Sequence, residues 1–225
     1  MGDRQHWILV VVYATAMAWL ESATVVYLRL LNGRLQPYQT EPLPLISTAL
    51  PLSRIEMVRE AATLLMLLAV GLLAGRSKRA RLGYAIIAFG IWDVFYYVFL
   101  NVMIGWPASL LDWDVLFLLP LPWWGPVLAP IIISLLLVVG GTLLVYFNQA
   151  GLALYPALLA NILCFFGVVL SLYVFMADTI KALPGGVEAV RMALPVIFNW
   201  PLFGVALVLM GAPILDLVRQ RLANK

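Results

Sequence analysis

Residues 90–101 read Gly90-Ile91-Trp92-Asp93-Val94-Phe95-Tyr96-Tyr97-Val98-Phe99-Leu100-Asn101. Apart from Asp93 the stretch carries no charge, and it continues an apolar run on its N-terminal side. It reads as the middle of a membrane-spanning helix. Asp93, Tyr97 and Asn101 lie four residues apart and so share one helix face. A carboxylate at mid-membrane is costly, which makes Asp93 a candidate site residue. Glu21 and Glu60 sit inside two other apolar segments and can reach a similar depth.

The composition agrees with a bilayer as solvent. Of the 225 residues 64% are hydrophobic and 11% charged, and the mean hydropathy is +1.00. A soluble domain carries about a quarter charged residues. At ~20 apolar residues per crossing, the length suits one transmembrane domain over 1–225. The expected fold is an all-α, polytopic integral membrane bundle of about six transmembrane helices, with both termini cytoplasmic. The expected helices cover about 7–31, 54–74, 82–104, 127–147, 152–176 and 192–218. No Lys/Arg run suggests a nucleic-acid arm, so the lipid bilayer is the expected partner and nucleic acid is not. The lone Cys164 precludes an intrachain disulfide and reads as a small apolar residue. The lone His6 makes a haem or catalytic zinc site an unsuitable reading.

Ala16-Met17-Ala18 resembles a signal-peptide cleavage site, but the apolar run continues past it, so an uncleaved first spanning helix is expected. Glu21 lies in its interior and Arg29 near its end, where it can snorkel to the interface. Residues 32–53 hold Pro37, Pro42, Pro44 and Pro51 and read as an extended loop. The second helix opens with Glu56, Arg59 and Glu60, where acids suit the helix dipole and Arg59 is the available counter-ion. Residues 107–119 predict a short interfacial or re-entrant helix, with Asp112 and Asp114 among the tryptophans of 106–124. Gly140-Gly141 predicts a close helix crossing. Pro195, Pro201 and Pro213 interrupt the last helix, and Asn199 stands at a kink that frees backbone carbonyls.

Gly75-Arg76-Ser77-Lys78-Arg79-Ala80-Arg81 sets the orientation. Its four cations and lack of acids place loop 75–81 in the cytoplasm, and loops 32–53, 105–126 and 177–191 on the outer side of a cell membrane. Most acids then fall in the outer half. At 1.5 Å per residue Glu21 lies about 15 Å below the end of its helix and Glu60 about 9 Å below its start. Glu21, Glu60, Asp93, Tyr97 and Asn101 are therefore expected to line one outward-opening polar centre, with Glu56, Arg59, Asp112, Asp114 and Asn199 as secondary members. The combination of Arg59-Glu60-Ala61-Ala62-Thr63, the Trp92-Asp93 helix and Pro122-Trp123-Trp124-Gly125-Pro126 resembles a bacterial multi-pass inner-membrane protein, and the resemblance implies no mechanism.

Three chemistries fit such a centre. Carboxylate, amide and phenol oxygens suit Mg, Mn or Ca better than zinc, though no spaced ligand motif singles out a metal. Buried acids can relay protons or cations in a small coupled transporter. Glu or Asp beside Tyr can serve acid–base steps of an enzyme acting on a lipid or quinone. No nucleophile motif, phosphate loop or cofactor ligand set accompanies them, so the cofactor is left open. The leading expectation is an accessory or structural subunit that binds other membrane subunits, its acids locking helices together.

Overall fold

A computed structural model describes residues 3–31, 33, 50–117, 121–149, 154–195 and 197–223. The expected 32–53 loop lies outside these residues, save Gly33 and the start of the next helix. The long helices are α1 (Asp3–Leu31), α2 (Leu50–Ala74), α3 (Lys78–Ile104), α4 (Leu128–Gln149) and α5 (Leu158–Ala182). They are followed by α6 (Gly186–Met192), α7 (Trp200–Met210) and α8 (Ala212–Ala223). Among the described residues six helical stretches are long and apolar enough to cross a membrane, the last two being α5 continued into α6, and α7 continued into α8.

Local chemistry fixes the boundaries. Ser77 caps α3 by accepting a hydrogen bond from the Ala80 N–H. Gly105 ends it at φ 68°, a conformation only glycine adopts cheaply, and returns its N–H to the Asn101 carbonyl. α5 starts six residues later than expected because Pro156 holds residues 154–157 extended. It also runs on to Ala182, and a short 3₁₀ turn (Leu183–Gly185) and α6 fill the expected 177–191 loop. The expected 192–218 helix is divided. Pro195 and Pro201 cannot sit in a helix interior, so 193–199 leaves the helix and α7 restarts behind the Asn199 cap. A second break at Gly211 precedes Pro213 in the first turn of α8.

The expected helix at 107–119 is a β-hairpin instead. β1 (Trp113–Phe117) pairs antiparallel with β2 (Trp123–Pro126), with Trp113 opposite Pro126 and Val115 opposite Trp124. Period-two placement of Trp113, Val115 and Phe117 suits a strand, and Pro107, Pro122 and Pro126 deny the segment helical continuity.

α3 is the central helix, packed against α1, α2 and α4. Its contact with α1 buries Ala14, Ala18 and Ala88, and small side chains let the backbones approach. On the other side Gly83, Gly90 and Gly141 bring α3 and α4 closer still, since a Cβ on any of them meets the facing helix at 2.6–2.8 Å. α5 packs on α7, and an aromatic cluster of Phe175, Phe198, Phe203 and Trp123 joins that pair to the hairpin. The Thr179 hydroxyl on α5 donates to the Pro122 carbonyl at 2.9 Å. At the opposite end Trp7 on α1 donates to Thr142, and Ser77 to Asn148 at 2.9 Å, both on α4.

Candidate functional site

The sequence-selected polar residues fall into three interhelical contacts. The first joins α1 to α2. The Arg59 guanidinium hydrogen-bonds Glu21 through Nη1 and Glu56 through Nε, the latter at 2.8 Å. Thr63 completes the group by donating to the second Glu21 oxygen at 3.1 Å. Arg59 and Thr63 are four residues apart, so one face of α2 presents both to α1. α2 begins a turn earlier than expected, at Leu50 rather than Arg54. Arg59 and Glu60 therefore lie about 15 Å along the helix, level with Glu21. Glu60 is half-buried beside them.

The second contact joins α3 to α4. Asp93, 8% exposed, accepts a hydrogen bond from the Ser134 hydroxyl at 2.8 Å. Gly90, one turn earlier on the same face, allows this approach by resting against the Ser134 carbonyl. Glu21 thus faces α2 while Asp93 faces α4, and the two share no hydrogen-bond partner.

The third contact anchors the hairpin. Arg29 of α1 does not snorkel outward. Its guanidinium lies 3.3 Å from the Asp114 carboxylate and 4.1 Å over the Trp106 ring. The Tyr97 side chain on α3 stands beside the same carboxylate. Burial pushes the Asp114 carboxyl up to about 6, against the opposing pull of Arg29, the Val115 N–H and Tyr97. Asn101 donates to the Pro107 carbonyl at 2.8 Å and so ties the end of α3 to the chain entering the hairpin.

Asp112 and Asn199 do local work. Asp112 accepts from the Ala108 and Ser109 N–H groups and closes the turn before β1. Asn199 caps α7 through the Leu202 N–H. Ser134 and Thr63 were not singled out from sequence. Each is a hydroxyl in an apolar helix, a signal that marks a buried acceptor nearby without naming it. Among the described residues no group of three or more His, Cys, Asp or Glu is placed to hold a metal ion.

Asp114 makes a pH prediction. Its carboxyl holds its proton more tightly folded than unfolded, so it stabilises the fold most below about pH 3.8 and loses that contribution as pH rises through about 6. The loss amounts to about 3 kcal/mol at most. Thermal unfolding of the wild type will show this fall, and Asp114→Asn will not. Identical pH profiles for the two proteins would refute the assignment.

The chain matches no family model, no curated protein and no solved structure. The six long apolar helices among its described residues fit a multi-pass membrane protein.

Proposed function

We propose that this chain is a non-catalytic accessory or structural subunit of a larger membrane complex. The observation that carries this reading is the use made of its acids. Glu21 is held by α2, Asp93 by α4 and Asp114 by α1, so each joins two elements of the bundle. Inside a bilayer such polar contacts fix the relative placement of helices that apolar packing alone leaves underdetermined.

The particle extracted from its native membrane in mild detergent tests this. Stoichiometric partner chains are expected, and a lone monomer or homo-oligomer would overturn the reading. Asp93 supplies a second test. Asp93→Asn keeps an acceptor for Ser134 but removes the titratable proton, and the particle should survive it. Asp93→Leu removes the acceptor, costs about 1 kcal/mol of interhelical hydrogen bonding, and should lower the yield of assembled particle.

The second reading is a small proton- or cation-coupled transporter. It is favoured by Asp93 and Tyr97, which share one face of α3, with Tyr97 beside Asp114 of the hairpin. Under that reading Asp93→Asn abolishes flux while leaving the particle intact.

A further inference from the structure

Away from the acids, the opposite end of the bundle gathers cations from segments distant in sequence. Arg79, in the first turn of α3, is folded inward: it hydrogen-bonds the Leu154 carbonyl and lies 4.0 Å over the Tyr155 ring. From the other side Gln220 of α8 donates to the Tyr155 carbonyl at 2.8 Å, and Asp216 accepts from the Ala157 N–H at 2.6 Å. Residues 154–157 are thereby gripped between the first turn of α3 and α8, which brings the cations of both to one end of the bundle.

Arg76, Lys78, Arg81 and Arg219 are exposed there. Among the described residues none of the four makes an ion pair. Asp216 is already occupied by Ala157 and Gln220. Apolar side chains border the cations: Leu73 is 86% exposed, Leu82 58% and Leu222 64%. Cations at helix ends, flanked by bare leucines, meet the two halves of one molecule, an anionic headgroup and its acyl chains. A soluble anion has no use for the leucines.

We propose that this end of the bundle is a binding surface for the phosphate-bearing headgroups of anionic lipids, made by Arg76 in the α2–α3 turn, Lys78 and Arg81 at the start of α3, and Arg219 on α8. Guanidinium groups suit phosphate oxygens because they donate in pairs. Zwitterionic lipids carry their own cation and compete poorly for such a face. Arg79 acts as a positioning residue, holding the 154–157 linker against the turn.

The test uses the full chain in neutral detergent, given phosphatidylglycerol or phosphatidylcholine of matched acyl chains, with retained lipid counted by native mass spectrometry. The wild type is expected to retain the anionic lipid about tenfold over the zwitterionic one. Arg76→Gln, Lys78→Gln and Arg81→Gln together should remove that preference, and about 1 M salt should weaken it in the wild type. Lys181→Gln, which alters an exposed cation paired with Asp178 in the last turn of α5, should leave it unchanged. Because the three substituted side chains are exposed, the triple variant should fold, and an unchanged melting profile without lipid checks this. The proposal falls if the triple variant keeps the preference, if the wild type shows none, or if inorganic phosphate displaces the lipid at equal concentration.

Discussion

Replacing Arg59 by glutamine will destabilise the protein by about 3–5 kcal/mol, the usual cost of removing one partner from a buried ion pair. The arginine is the shared donor for Glu21 on α1 and Glu56 on its own helix. Its loss leaves two carboxylates facing each other in an apolar layer, each of which must be neutralised or reach water. α1 and α2 touch each other far less than either touches α3. The ion pair is therefore a principal link between them, and their separation should be the first event on unfolding. Unfolding by denaturing detergent, followed by far-UV circular dichroism, reads the stability. Combining Arg59→Gln with Glu21→Gln should recover part of the loss, because the second change removes the stranded charge. A single Arg59→Gln variant within about 0.5 kcal/mol of the wild type would show that the contact is incidental.

The second large effect lies at the α3–α4 crossing. A methyl at Gly90 would sit 2.6 Å from the Ser134 carbonyl oxygen, and one at Gly141 would sit 2.7 Å from the Gly83 carbonyl oxygen. Both obstacles are backbone, so neither can rotate away and the helices must separate. Overpacking of this kind costs about 1–3 kcal/mol per site, and Gly90→Ala also strains the Ser134–Asp93 hydrogen bond. The neighbouring Gly140 gives the contrast. Its added Cβ would lie 3.4 Å from Ile214 side-chain atoms, an ordinary contact, and Gly204 has nothing within 4 Å. Alanine at Gly140 or Gly204 should therefore be neutral, or stabilising by about 0.5–1 kcal/mol through helix propensity. Equal effects at Gly140 and Gly141 would contradict the crossing geometry.

Much of this architecture is legible in the chain. Apolar length gives six crossings, and the Gly140-Gly141 pair announces a close approach, though only the structure divides it, Gly141 to α3 and Gly140 to α8. Pro195, Pro201 and Pro213 announce interruptions, whereas the late start of α5 behind Pro156 departs from the expected 152–176. The hairpin at 113–126 is harder to read. Tryptophan at an interface is expected of strand, helix or loop alike, and the strands are too short for their alternation to stand out. What holds them is tertiary: Arg29 on Asp114, Thr179 on Pro122, and the Phe175 ring packed over Gly125.

The sequence by itself determined the apolar character, the six apolar helices and which helix face carries Glu21 and Asp93. These follow from apolar length and the 3.6-residue turn, both local properties. Only the tertiary structure decided what each acid meets: Arg59 and Thr63 for Glu21, Ser134 for Asp93, Arg29 and Tyr97 for Asp114. The periodicity of one helix fixes a direction around its own axis. The partner found in that direction depends on how closely small residues such as Gly90 and Ala18 let the next helix approach, and that is set jointly by residues far apart in the chain.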